Sequence, residues 1–89
     1  MADILSSTQF RMAKAALKLS NPQISESTGL HRNTLNGVDS GRGSESTLKY
    51  LRAFFESNGI EFINKSDGRV GVIYWETDLI EAFDLELVS

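Results

Sequence analysis

The chain contains no cysteine, which excludes a disulfide framework and any zinc site built from thiolates. No stretch of it is long and apolar enough to span a bilayer. Residues 1–6 lack the charge pattern and the apolar run of a signal peptide. Because the absence of disulfides fits a reducing compartment, we expect a cytoplasmic protein that does not associate with a membrane.

Groupings of residues that are typical of enzymes are also missing. The one histidine, His31, has no carboxylate or thiol neighbour in the sequence with which to hold a metal. The glycine-rich stretch 40–44 lacks the Lys-Ser/Thr pair of a nucleotide-binding P-loop. We find no paired base and nucleophile, and we therefore expect no enzymatic activity, no cofactor and no metal.

Charged residues are unevenly placed along the chain. The 89 residues are 40% hydrophobic and carry a net charge of −3. Before Ile60 there are seven basic and five acidic residues, whereas from Ile60 onward there are two basic and seven acidic ones. This asymmetry indicates a mildly basic part, 1–59, and an acidic part, 60–89, with different partners; ordinary solvated charge is the alternative. So short a chain buries a modest share of its surface, so dimerisation would stabilise it.

The stretch 20–43 predicts two short helices joined by a glycine turn. Ser20 and Gln23 form a capping box, S-x-x-Q, which satisfies backbone donors at a helix start. Pro22 falls in the first turn, where its missing N–H costs little. Gly29 supplies a left-handed residue that ends the first helix, and Gly41 can end the second in the same way.

Apolar spacing elsewhere predicts two further helices, a hairpin and a last helix. The four main helices cover about 7–19, 21–28, 32–40 and 47–57; Ser7 or Thr8 caps the first, and Ser44 or Ser46 caps the fourth. Strands at 60–63 and 69–75 flank a turn containing Asp67-Gly68. The segment 76–89 predicts a short acidic amphipathic helix.

The hairpin has apolar residues on both faces, so both faces need cover. The helices can cover one face, and either the last segment or a second copy of the chain can cover the other. We expect a dimer or partner interface there, although packing of the last segment on its own domain is the alternative. The expected interface residues are Val72, Tyr74, Trp75, Leu79, Ile80 and Phe83.

The third helix has a composition that does not favour a helix. Leu35 and Val38 turn inward at helical spacing, and Arg32, Asn33 and Asn36 then point outward with Gly37. Asparagine is a poor helix former, and a glycine inside a helix costs about 1 kcal/mol relative to alanine. This helix therefore indicates a function beyond its own stability, the alternative being a surface helix with unrelated polar residues.

The stretch 20–43 resembles the Cro/phage-repressor family of helix-turn-helix proteins, often called XRE. Typical members read Gln-x-x-Leu-Ala-x-x-x-Gly-Val-Ser-x-x-x-Ile-x-x-x-Glu-x-Gly. This chain has matching residues in the same register without a gap: Ile24, Ser25, Gly29, Leu30, Leu35, Val38, Asp39 and Gly41. The resemblance covers about Gln9 to Gly59. It implies a mainly α fold, a four- to five-helix Cro/repressor-like helix-turn-helix domain with a C-terminal β-hairpin and a short terminal helix.

The resemblance implies a transcriptional regulator that binds double-stranded DNA, as a homodimer, in a bacterium or a phage-infected cell. The third helix would enter the major groove, where arginine pairs with guanine and asparagine with adenine. The implied base contacts are Arg32, Asn33, Asn36 and Gly37; the implied phosphate contacts are Asn21, His31, Ser40, Arg42, Ser44 and Lys49. For Asn21 and His31, a purely local role in the helix start is the alternative.

Two positions depart from the family pattern. Gly37 stands where many members carry a long base reader, so fewer base pairs would be specified. Lys14 and Asp39 stand where members carry an arginine and a glutamate that pair, so we expect an ion pair between the first and third helices that is weaker than theirs.

The competing interpretation is an antitoxin-like protein-interaction module that binds a partner through the acidic C-terminal segment.

Overall fold

A computed structural model describes residues 4–75 as four helices followed by a two-stranded antiparallel sheet. The elements are α1 (Ser7–Leu17), α2 (Asn21–Thr28), α3 (Arg32–Asp39), α4 (Glu45–Ser57), β1 (Ile60–Asn64) and β2 (Val70–Tyr74). The predicted mainly α class with a hairpin is confirmed, whereas the predicted terminal helix at 76–89 lies outside the described residues. No described helix has the length and apolar character needed to cross a membrane.

One predicted cap and two predicted helix boundaries are wrong, namely the cap of α1, the end of α1 and the start of α4, whereas the start of α1 at Ser7 and the alternative cap Ser44 are confirmed. Ser6, not Ser7 or Thr8, caps α1, since its side chain accepts a hydrogen bond from the Gln9 N–H at 3.1 Å. The helix ends at Leu17 because Lys18 adopts the left-handed conformation, with φ of 58°. α4 begins at Glu45 because the Ser44 hydroxyl caps it by accepting the Thr47 N–H at 3.2 Å.

One apolar core unites the helices and the hairpin. Phe55 lies at its centre, with its ring 5.8 Å from that of Phe10 and 6.2 Å from that of Phe62, both in edge-on contact. Its buried members are Leu5, Phe10, Ala13, Ile24, Leu35, Val38, Leu51, Phe55, Ile60 and Phe62. Because Ile60 and Phe62 belong to β1, the predicted boundary at 59/60 does not separate two cores in the described part of the chain.

A buried glutamine ties the hairpin to α1. Gln9 is fully buried, and its Nε2 donates to the Ile63 carbonyl at 3.2 Å and to Asn64 Oδ1 at 3.1 Å. Its Oε1 accepts the Ser6 backbone N–H at 3.3 Å, which completes a capping box. A polar side chain enters the core at low cost only when it is satisfied in this way.

Both faces of the hairpin keep exposed apolar side chains near the end of β2. In the sheet, Phe62 pairs with Val72 and Ile60 pairs with Tyr74. Val72 is half-buried against the core, whereas Tyr74 and Trp75 keep 39% and 52% of their surface exposed. The interface predicted on Val72, Tyr74 and Trp75 therefore has two accessible aromatic members here. Its other members, Leu79, Ile80 and Phe83, lie outside the described residues.

Candidate nucleic-acid interface

Side-chain hydrogen bonds brace the connection between α2 and α3. Gly29 ends α2 with φ of 80°, and its N–H donates to the Ser25 carbonyl at 2.8 Å. The Thr28 hydroxyl donates to the Ile24 carbonyl at 2.7 Å and accepts the Leu30 N–H at 3.2 Å. These bonds occupy most of the polar groups of the connection, so the angle at which α3 leaves α2 is held by short-range contacts.

His31 begins α3 as its capping residue. The imidazole Nδ1 accepts the Asn33 N–H at 3.0 Å. In this geometry the ring proton of a neutral imidazole is on Nε2, which faces away from the capped backbone. The local role considered for His31 is therefore present, and Nε2–H is left as a donor for the predicted phosphate contact.

The two sides of α3 differ sharply in exposure. Leu35 and Val38 are 0% and 1% exposed. Arg32, Asn33 and Asn36 are exposed, while Gly37 is half-buried. The predicted inward positions and the outward positions of Arg32, Asn33 and Asn36 are therefore confirmed, whereas Gly37, predicted to point outward, faces the Arg42 main chain. The side chains of Arg32 and Asn33 form no hydrogen bond or ion pair with any other residue of the range 4–75, so both are available to a ligand.

A polar network lies beneath this exposed face and joins three helices. Lys14 Nζ donates to both carboxylate oxygens of Asp39, at 2.7 and 2.9 Å, which is the predicted ion pair between α1 and α3. Asn21 joins the same pair from α2: its Oδ1 accepts from Lys14 at 3.0 Å, and its Nδ2 donates to Asp39 Oδ2 at 2.8 Å. The network fixes the orientation of α3 against the body of the protein.

Asn21 also reaches the exposed face. Its Nδ2 donates to Asn36 Oδ1 at 2.9 Å, so both hydrogens of the Asn21 amide are used inside the protein. The side chain is thus not free to donate to a phosphate as arranged. Asn21 is the first residue of α2, and its backbone N–H lies at the helix start, where phosphates bind. The phosphate contact at Asn21 stays a prediction, with that N–H as the donor.

The chain after α3 folds back onto the middle of the helix. Gly41 has φ of 81°, the Arg42 N–H donates to the Gly37 carbonyl at 2.7 Å, and the Gly41 N–H donates to the Val38 carbonyl at 3.0 Å. This pair of bonds is a Schellman motif. A Cβ atom on Gly37 would lie only 2.9 Å from the Arg42 carbonyl oxygen. The sequence alone indicated no such packing reason for a glycine here.

The remaining predicted phosphate contacts lie around the start of α4. Ser40 and Arg42 are exposed in the connecting loop. The Ser44 hydroxyl is occupied as the cap of α4 and lies 2.9 Å from Thr47 Oγ1. Lys49 forms an exposed ion pair with Glu45 at 3.4 Å. Because such pairs contribute about 0–1 kcal/mol, Lys49 can leave it at little cost.

Two cations without an acidic partner flank α3. Of the four acidic residues in the range 4–59, Asp39, Glu45 and Glu56 each pair with a lysine or an arginine. The cations of this range that form no ion pair with a described residue are Arg11, Lys18, Arg32 and Arg42, and the last two flank the exposed face of α3 at its two ends. This face therefore presents two positive charges with two asparagines between them, which suits an anionic partner.

Comparisons of the chain with protein-family models, with curated proteins and with solved structures find no match. What this face can bind is therefore argued from the residues described above.

Proposed function

We propose that the protein is a sequence-specific DNA-binding transcriptional regulator of the Cro/repressor helix-turn-helix type. The observation that carries this proposal is the division of α3 into a buried side, Leu35 and Val38, and an exposed side bearing Arg32, Asn33 and Asn36. α2 and α3 form the helix-turn-helix unit, and α3 is the recognition helix.

The chemistry of the exposed side fits base edges in the major groove. Arginine donates in bidentate fashion to guanine N7 and O6, and asparagine can pair with adenine. Arg32 and Asn33 are exposed and carry no internal bond, so they supply the direct base contacts. Gly37 has no side chain, and Arg42 crosses over it, so position 37 contributes only backbone to the groove.

Phosphate contacts then surround the recognition helix. Arg42 lies beyond its C-terminus, His31 Nε2 at its start, and the Asn21 backbone N–H at the start of α2. Ser40, Ser44 and Lys49 complete the set. Contacts of this kind set register and affinity, not sequence preference. Few cations take part, so we expect a shallow dependence of affinity on salt.

The proposal is tested by selecting binding sites from duplexes of random sequence. We expect one enriched motif, and we expect the double variant Arg32→Ala, Asn33→Ala to lose preference for it in a gel-shift assay. The control is Arg69→Ala, which also removes one positive charge but lies at the hairpin turn. Enrichment of no motif, or unchanged preference in the double variant, would refute the proposal.

We propose further that the regulator is a cytoplasmic homodimer that uses the exposed side of the hairpin. Ile73 and Trp75, which alternate onto the same face of the hairpin, are 38% and 52% exposed, and exposed apolar groups that lie together mark contact surfaces. A dimer would place two recognition helices about one DNA turn apart. Sedimentation of the variant Trp75→Lys is expected to show a monomer, whereas Lys65→Ala on the same hairpin remains dimeric.

The exposure of Trp75 and, on the opposite face of the hairpin, of Tyr74 favours one second candidate, a protein-interaction module. In that case these aromatic side chains bind another protein, and DNA binding is secondary. A wild-type chain that sediments as a monomer with and without its selected DNA would favour this candidate over the homodimer.

A further inference from the structure

We infer that Asn21 is a positioning residue that fixes the hydrogen-bonding direction of Asn36, so that Asn36 presents an N–H donor to the DNA. The inference rests on the proposed function and assigns the kind of base edge that one position of the recognition helix accepts. It predicts an edge that offers acceptors, above all the N7 and O6 of guanine, in place of the adenine pairing first expected for asparagine.

The first step concerns the orientation of the Asn21 amide. Lys14 carries only donors at its ammonium, and Asp39 carries only acceptors at its ionised carboxylate. The Asn21 oxygen lies 3.0 Å from Lys14 Nζ, and the Asn21 nitrogen lies 2.8 Å from Asp39 Oδ2. Turning the amide over would place N–H groups against an ammonium and an oxygen against a carboxylate. The two charges therefore allow one orientation only.

The second step passes this orientation to Asn36. The amide nitrogen of Asn21 carries two hydrogens, and one of them is used by Asp39. The other points to Asn36, whose oxygen lies 2.9 Å away. Since a donor faces it, Asn36 keeps its oxygen toward the protein and turns its own NH₂ group outward. Asn36 is exposed, and within residues 4–75 its Nδ2 donates to no other group.

The consequence for base recognition follows from the groove pattern. A bidentate pair with adenine needs the asparagine oxygen to accept from adenine N6. That oxygen is directed at Asn21, so the outward NH₂ group meets acceptors best. Guanine offers two acceptors in the major groove, N7 and O6, whereas adenine and thymine offer one each, N7 and O4, and adenine adds the N6 donor that an outward NH₂ group cannot pair with.

Substitution at Asn36 tests the direction of the bond. In the variant Asn36→Asp the inner oxygen still accepts from Asn21, but the outward group becomes an acceptor. We expect selection from random duplexes to exchange guanine at one position for cytosine, whose N4 donates to carboxylates. The variant Asn36→Ala is expected to show no preference at that position. Retention of the wild-type base preference by both variants would overturn the inference.

Substitution at Asn21 tests the positioning role. Asn21→Ala releases the Asn36 amide, so adenine becomes acceptable and discrimination at that position falls about tenfold. The double variant Asn21→Ala, Asn36→Ala is expected to discriminate no worse than Asn36→Ala alone. The control is Gln23→Ala, which alters an exposed amide of the same helix that makes no bond to α3. If the Asn21→Ala variant keeps the full base discrimination of the wild type at that position, Asn21 does not position Asn36.

A modified base separates this inference from the proposed function. Replacing the guanine that Asn36 contacts by 7-deazaguanine removes its N7 acceptor. We expect this replacement to weaken binding by the wild type about tenfold and to leave binding by Asn36→Ala unchanged. A wild type that binds a selected site but tolerates 7-deazaguanine at the position whose preference depends on Asn36 refutes the inference alone. A wild type that selects no site refutes the proposed function.

Discussion

The glycine in the middle of α3 is explained by the main chain that crosses it. The Arg42 carbonyl lies where a side chain at Gly37 would begin, and the Arg42 N–H bonds to the Gly37 carbonyl at 2.7 Å. Gly37 therefore serves the packing of the loop, and the loop in turn places Arg42 beside the recognition face. The helix tolerates the glycine because the hydrogen bond from Arg42 offsets part of the helix stability that is lost at this position.

The variant Gly37→Ala tests that explanation. Alanine favours a helix by about 1 kcal/mol over glycine, but overpacking against rigid backbone costs about 1–3 kcal/mol. We expect the free energy of unfolding to fall by about 1 kcal/mol in urea titration. Asn33→Ala, at an exposed site of the same helix, is expected to raise it by roughly 0.5 kcal/mol. Equal gains in the free energy of unfolding for both variants would contradict this explanation, because they would show that the loop containing Arg42 moves without cost to accommodate the alanine side chain.

Lys14 has more partners than the predicted ion pair alone. Its Nζ contacts both oxygens of Asp39 and the oxygen of Asn21, and its side chain is 15% exposed. Removing the Lys14 ammonium from these contacts is expected to lower the free energy of unfolding by about 1–2 kcal/mol, between the values for exposed and buried ion pairs. Thermal unfolding of Lys14→Ala measures the loss. The exposed pair of Lys49 supplies the control, since Lys49→Ala should change stability by less than about 0.5 kcal/mol. An unchanged melting temperature in Lys14→Ala would remove the pair from the account.

At the scale of elements, two matching capping boxes begin α1 and α2. Ser6 with Gln9 and Ser20 with Gln23 make the same reciprocal bonds. The sequence indicated the second box but not the first, although both have the pattern S-x-x-Q. Only the first glutamine is buried and continues to the hairpin.

This pair of boxes allows a matched test of how α1 holds the hairpin. Gln9→Ala removes the cap contact, leaves a cavity at a fully buried position and deprives the Ile63 carbonyl and Asn64 Oδ1 of their Gln9 donor, so we expect a loss of about 2–3 kcal/mol of unfolding free energy. Gln23→Ala removes a cap contact alone and is expected to cost about 0.5 kcal/mol. Urea titrations of both variants give the difference, and similar losses would contradict an anchoring role for Gln9.

The elements themselves were largely predictable where a residue acts on its own neighbours. Ser20, Gln23 and Gly29 set the bounds of α2 as expected, because caps and left-handed glycines are local signals. The end of α1 was not predictable, because Lys18 adopts the left-handed conformation without being a glycine. The hydrogen bond from Asn21 to Asn36 was also out of reach, since it forms only once two helices pack together.

At the scale of the whole molecule, the charges and the core separate two surfaces. Phe55 and its neighbours join the helices to β1, leaving the exposed face of α3 on one element and the exposed face of the hairpin with Ile73 and Trp75 on another. Arg32 and Arg42 flank the first surface, while Ile73 and Trp75 mark the second. We propose that the first surface binds DNA and that the second binds another copy of the chain.

The most direct measurement of this account is a nuclear magnetic resonance titration of the labelled chain with its selected duplex. We expect the largest amide shift changes at residues 31–44, together with Asn21, because α3 and its flanking loop enter and border the groove. Residues 65–69 at the hairpin turn serve as the internal reference and should shift little. Changes confined to the hairpin, or absent at residues 32–37, would contradict the account.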